Sequence, residues 1–168
     1  MDGQDTIPPA LFRGACGRFA TGVTIATAQD ASGQRWGLTV NSFSSVSLNP
    51  PLVLFSLDRA AMSHDGIVGA GGFAINILSA GQRALSERFS VVRDADRFAG
   101  VPMLESLPNE PPLIAQCLCN IICTLEQGIP GGDHTILVGR VRRIALGVPE
   151  VPDPLLYFSG GYAELMRS

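Results

Sequence analysis

The 168-residue sequence contains no lysine, and its twelve arginines face fifteen acidic residues for a net charge of −3. A weakly acidic chain with scattered arginine argues against a nucleic-acid-binding surface. The longest apolar runs, such as Pro50 to Phe55, are strand-sized and far short of the roughly 20 residues of a membrane helix, so no membrane partner is expected. No charged segment precedes an apolar core at the N-terminus, so a secretory leader is not expected and a cytoplasmic protein is. With two histidines and no His, Asp or Glu cluster at ligand spacing, no metal is expected. The G-x-G-x-x-G and phosphate-loop fingerprints are missing, so a nucleotide must be held by some other scaffold. The G-x-S-x-G elbow of hydrolases is missing too.

What is present fits one compact domain over 1–168, with its core at about 11–166, because 46% of the residues are hydrophobic. Cys16, Cys117, Cys119 and Cys123 lack paired zinc-ligand spacing. On an extended strand Cys117, Cys119, Ile121, Cys123 and Leu125 share one face, which reads as small-residue core.

Thr6-Ile7-Pro8-Pro9 opens a helix in which Leu11, Phe12, Ala15, Cys16 and Phe19 recur at helical spacing, ended by Gly22. Gly22 to Ala28 is β-branched enough for a strand, and Asp30 to Gly33 supplies a hairpin turn into the strand at Trp36. Leu52 to Leu57 and Phe73 to Leu78 are further strands, with a short helix over Ser63 to Ala70. Ser79-Ala80-Gly81-Gln82 is a capping box that starts a helix carrying Leu85 and Phe89. Residues 90–112 read as a long surface connection. Strands over Leu113 to Glu126, Thr135 to Leu146 and Leu155 to Phe158 follow. Short turns rather than crossover helices join most strands, which favours an antiparallel barrel or sandwich.

The segment Trp36 to Asp58 is the most informative. Between Thr39 and Ser47 it holds Thr39, Asn41, Ser42, Ser44, Ser45 and Ser47 with no charge, flanked by apolar strands and a Pro-Pro break. Such groups suit a Ser-rich turn, and equally a grip on an uncharged ring edge or a phosphate. In Gly131-Gly132-Asp133-His134-Thr135 a glycine turn feeds a strand, placing a histidine where it can enter a pocket or cap the surface. His64, near a helix start, reads as structural or solvent-facing.

Six segments together resemble the short-chain flavin reductase family, the small reductase components of two-component flavin-dependent monooxygenases. They are FRGACGRFATGVTIAT (12–27), GLTVNSFSSVSLNPPLVLFSL (37–57), FAINILSAGQ (73–82), LSERF (85–89), GGDHTILVGRV (131–141) and DPLLYFSGGY (153–162), in family order. The resemblance implies a mainly β fold, a six-stranded antiparallel Greek-key split barrel of the FMN-binding type with a few peripheral helices. It implies a homodimer that reduces FMN or FAD with NADH or NADPH and hands reduced flavin to a monooxygenase.

By position it assigns Thr39, Val40, Asn41 and Ser42 to the flavin, and Ser44 and Ser45 to the ribityl phosphate. Ser56, Leu57 and Asp58 fall beside the ring or nucleotide tail. Asn76, Arg88 and Phe89 take further flavin-adjacent positions. His134 would face the nicotinamide as the catalytic residue, with Tyr162 closing the same pocket. Leu38, Asn49, Gly161 and Ala163 depart from residues frequent in the family. Two rivals stand beside this: a carrier or sensor that holds flavin permanently, and a hydrolase built from a serine of 42–47 with His134 and Asp133.

Overall fold

The computed structural model of the protein describes residues 7–91, 96–108, 110–147 and 153–166. Helix α1 (Pro9–Cys16) precedes strands β1 (Thr21–Gly22), β2 (Thr24–Gln29), β3 (Arg35–Val40), β4 (Ser44–Leu48) and β5 (Pro51–Asp58). Then come α2 (His64–Gly69), β6 (Gly72–Ile77), a 3-10 turn (Ala80–Gln82) and α3 (Arg83–Val91). The long strands β7 (Cys119–Gly131) and β8 (His134–Leu146) follow, with β9 (Leu156–Phe158) and β10 (Gly161–Ala163) last. Thr6 and parts of the expected surface connection, 92–95 and 109, lie outside the described residues.

All pairings are antiparallel, in a seven-stranded sheet of order β3-β2-β6-β7-β8-β5-β4 and a three-stranded sheet of order β1-β9-β10. The larger sheet curls around one core. Ala26, Val40, Phe55, Ile75, Cys123 and Leu137 meet in it, one each from β2, β3, β5, β6, β7 and β8. Six strands therefore line the barrel, as the resemblance implies, while β4 flanks β5 as a seventh with mostly exposed residues. The first and last barrel strands, β3 and β5, do not pair with each other. The seam between them is bridged by side chains: the Ser56 N–H donates to Ser42 Oγ at 2.9 Å, and the Ser42 hydroxyl donates to the Ser56 carbonyl at 3.2 Å.

Strand β2 is buried on both faces, which explains its run of small and β-branched residues. Ala26 and Ala28 face the barrel, while Ile25 packs outward with Leu78, Phe89, Phe98 and Leu155 in a second core beneath α3. Gly37 of β3 lets α3 approach, because a Cβ there would lie 2.6 Å from the Phe89 ring. The expected capping box is present, with the Ser79 N–H donating to Gln82 Oε1 at 3.0 Å.

Three expectations shift. Helix α1 stops at Cys16, not near Gly22, and buries none of its residues, so its apolar spacing marks an outward face. Strand β7 starts at Cys119 rather than Leu113. Gln116 has a positive φ of 62°, and the Ile114 N–H bonds to a side chain, which together break the extended run. Cys117 consequently packs in the second core, while Ile121, Cys123 and Leu125 share the barrel face as expected, the irregularity between Ile122 and Cys123 being an extra residue, Arg142, on β8. Burial pushes both thiols up to about 12, so they pack as small hydrophobes. Among the described residues no helix is long and apolar enough to cross a membrane, and no group of three His, Cys, Asp or Glu could hold a metal ion.

Candidate functional site

Alternation along β3 decides which of its residues face outward. Val40 points into the barrel core, so Thr39 and Asn41 turn to the outer face, towards α3 and the small sheet. There Thr39, Asn41, Ser86, Ser90, Tyr157 and Tyr162 enclose a cavity of about 240 Å³. The Thr39 hydroxyl donates to the Ser86 carbonyl at 2.6 Å, tying β3 to α3. Ser86 Oγ and the Tyr162 hydroxyl lie 2.8 Å apart. Arg83 covers the Tyr162 ring at 4.9 Å, and Tyr157 meets it edge-on at 5.6 Å between centroids. Tyr162 is thus clamped on three sides. The Asn41 amide, by contrast, makes no hydrogen bond with the described residues.

A second cavity of about 330 Å³ shares Thr39 and Ser90 with the first. Leu38, Asp58, Met62, Ser63, Phe89 and Arg97 contribute to it. Arg97 braces this end, donating to the Gly37 carbonyl at 2.7 Å and the Phe89 carbonyl at 3.2 Å. Partial burial pushes its pKa down. The two cavities meet at Thr39 and Ser90 in one groove beside β3, walled by aromatic rings and edged by small polar groups. It carries the features that suit a flat, largely uncharged heterocycle such as flavin: ring faces, an unpaired amide and backbone polar groups of the bend.

Of the sequence-selected residues, Thr39, Asn41 and Tyr162 gather around the first cavity, and Thr39, Asp58 and Phe89 around the second. Val40 and Leu57 point into the barrel, leaving their backbones to face a ligand. Ser42 and Ser56 are paired with each other across the seam. Ser44 and Ser45 lie exposed on β4, and the Ser44 hydroxyl donates to the Ser45 carbonyl at 3.1 Å. Arg88 leans away, donating to the Asp96 carbonyl at 2.9 Å.

Asn76 has a different role from the one assigned to it. It is fully buried, and its amide donates to the Ile25 carbonyl at 2.8 Å and Thr27 Oγ1 at 3.0 Å. Its Oδ1 accepts from the Ile114 N–H at 2.9 Å and the Asn120 amide at 2.8 Å. Both donors and both acceptor positions are taken, so nothing remains for a ligand.

His134 opens β8 after a two-residue turn in which Gly132 has φ 69°. It stands opposite Asp58 on β5, so the two side chains project to the same face. His134 Nδ1 lies 2.7 Å from Asp133 Oδ1, and that contact holds the Asp133 carboxyl below the usual carboxylate range. His134 lines neither cavity, although Asp58 lines the second. No serine of 42–47 hydrogen-bonds to it, which removes the hydrolase reading. His64 is structural: Nδ1 lies 2.7 Å from Asp65 Oδ1, and Nε2 lies 2.9 Å from Thr135 Oγ1, pinning α2 to β8.

The sequence reading passed over Ser86, Ser90, Tyr157, Met62, Ser63 and Arg97. Ser86 and Ser90 sit four apart on α3, a spacing that puts both on one helix face and could have marked them.

Comparison with known proteins identifies the family. Residues 16–166 match the flavin reductase like domain. The chain is 40% identical over 159 residues to a flavin reductase of Pseudomonas putida, covering 95% of this chain and 91% of the other. It is 38% identical over 155 residues to the reductase component of 4-hydroxyphenylacetate 3-monooxygenase from Thermus thermophilus, covering 92% and 95%. Its fold superposes on the NADH:FAD oxidoreductase of Streptomyces globisporus with a TM-score of 0.88 at 30% identity, covering 98% of each chain. Family match, identities and shared split-barrel architecture agree, and the chain belongs to the flavin reductase family.

Proposed function

We propose that this chain reduces free or loosely bound flavin, FMN or FAD, with NADH or NADPH, and releases it for use by a separate monooxygenase. The observation that carries the reading is the groove along β3, where the hydroxyl-rich bend, α3 and the clamped Tyr162 converge. When bound there, flavin supplies the redox chemistry, accepting a hydride from the reduced nicotinamide. The protein's own task is then positioning. The Asn41 amide and the backbone of 39–42 hold the polar edge of the heterocycle. Tyr162, braced by Ser86 and Arg83, walls the pocket. His134 orients the nicotinamide from the far end of β5 and β8, and no essential proton donor is required of it.

The groove lies open at the surface, which favours reversible holding over permanent retention. We further assign a homodimer. Leu11, Phe12, Phe19 and Phe158 are exposed around α1, and Leu48 of β4 is 95% exposed, an apolar surface that a second copy would cover. All four cysteines are unpaired, which suits a reducing compartment, and we place the protein in the cytoplasm.

A steady-state matrix of FMN and FAD against NADH and NADPH tests the activity. Turnover is expected with at least one pair, and flavin is expected to be lost on dialysis. Absence of nicotinamide oxidation with every pair would overturn the reading. Retained flavin without turnover would make the protein a carrier.

A further inference from the structure

We propose that Ser86 and Tyr162 act as a single hydrogen-bond donor aimed into the first cavity, with Ser86 as the positioning residue that directs the Tyr162 proton. This inference rests on the flavin-reductase reading and deepens it, because it names the kind of group the wall recognises. Ser86 joins three elements. Its carbonyl accepts from the Thr39 hydroxyl of β3 at 2.6 Å, and its Oγ lies 2.8 Å from the Tyr162 hydroxyl of β10. Both side chains line the cavity of about 240 Å³. Neither hydroxyl has another partner among the described residues. The pair holds two protons and makes one bond, so one O–H donor is left over whichever oxygen accepts. Burial decides which. Ser86 is fully buried, where an O–H without an acceptor is costly, so its proton goes to Tyr162. The Tyr162 proton is left to the cavity, on a ring that Arg83 and Tyr157 hold in place. Accepting one bond also polarises the phenol and strengthens the bond it donates.

The neighbouring hydroxyls have the opposite character. Thr39 has spent its proton on the Ser86 carbonyl, and Ser90 has spent its own on the Glu87 carbonyl at 2.7 Å. Both line the cavity and offer it lone pairs only. The Asn41 amide can donate or accept and does not discriminate. One hydroxyl donor beside two hydroxyl acceptors is the complement of an amide, with its carbonyl towards Tyr162 and its N–H towards Thr39 or Ser90. A phosphate would instead set its oxygens against both acceptors. The amide can be the imide edge of the flavin ring or the carboxamide of the nicotinamide, and binding measurements separate the two.

Ser86→Ala and Tyr162→Phe each remove one hydroxyl and spare the other contacts, since Thr39 bonds to the Ser86 backbone and Arg83 and Tyr157 hold the Tyr162 ring. In either single variant the surviving hydroxyl has lost its partner and supplies the donor itself. The double variant has no donor. Calorimetric titration of FMN into flavin-free protein, and of NAD+ into FMN-saturated protein, should show each single variant weakened about twofold and the double variant about tenfold. That loss read with FMN assigns the amide to the flavin ring, and read with NAD+ alone it assigns the amide to the nicotinamide. A bond that only holds the fold would behave otherwise, with the full loss in each single variant and nothing further in the double. A double variant no weaker than the two single effects combined, for both ligands, would overturn the proposal. Because both titrations read binding without turnover, that result is distinct from failure of the reductase reading, which would show as no nicotinamide oxidation by the wild-type chain.

Discussion

Two regions rich in small polar side chains lie on either side of β2. The Asn76–Asn120–Thr27 network is sealed in the core, and every donor and acceptor of Asn76 is matched. The bend from Thr39 to Ser45 uses the same residue types at the surface, and there Asn41 has no partner while Thr39 and Ser42 bond across to other segments. Composition does not separate the two. Satisfaction does: a polar group whose bonds are all made inside the protein holds the fold, and one with bonds to spare is available to a ligand.

The contrast is broken most forcefully at Asn76. Asn76→Ala should destabilise the protein by about 3–5 kcal/mol, because the Ile114 N–H and the Asn120 amide lose their acceptor in the interior. Denaturant unfolding measures this, and a loss below about 1 kcal/mol would show that the network is not a structural unit. Asn41→Ala should do the reverse. Flavin affinity should fall about tenfold, near 1.4 kcal/mol, while the unfolding midpoint holds. Unchanged affinity by flavin-fluorescence titration would remove Asn41 from the site.

Ser42 is the intermediate case, a bend residue that behaves like a core one. Ser42→Ala leaves the Ser56 N–H unpaired and should cost about 1 kcal/mol of stability. A variant as stable as the wild type would mean that water replaces the hydroxyl. The smallest effect is expected at a charged pair on another face. Arg143 donates to Glu110 at 2.6 and 3.0 Å and holds the Glu110 carboxyl below its ordinary value of 4.5. A carboxyl with a depressed folded-state pKa contributes stability above its unfolded value and loses it as pH falls through the folded value. Glu110→Gln should therefore cost at most about 1 kcal/mol near pH 7, a deficit that fades below pH 4.5. A deficit that persists in acid would assign it to packing instead.

Much of this was legible in the sequence because its signals are local. The turn at Asp30 to Gly33, the capping box at Ser79 to Gln82 and the hydroxyl-rich bend after Thr39 each depend on neighbours a few residues away. Asn76 was misassigned because its partners lie 38 to 51 residues off, beyond any local pattern. Strand β7 was begun too early because Leu113 and Ile114 are as apolar as a strand but bond to a side chain and to a loop. Helix α1 was extended because apolar spacing reports a sticky face without saying whether the same chain covers it.

The seam between β3 and β5 carries a consequence for breathing motions. Amides between β5 and β8 sit in a continuous ladder, but the Ser56 amide is guarded by a single hydroxyl that reaches over from the bend. Solvent deuterium should enter at Ser56 earlier than at the ladder amides, by local opening rather than global unfolding. Each such event is expected to free the Thr39–Ser45 bend from β5 while the hydrogen-bonded ladder of the barrel stays closed, so the seam divides the barrel into a part that breathes and a part that does not.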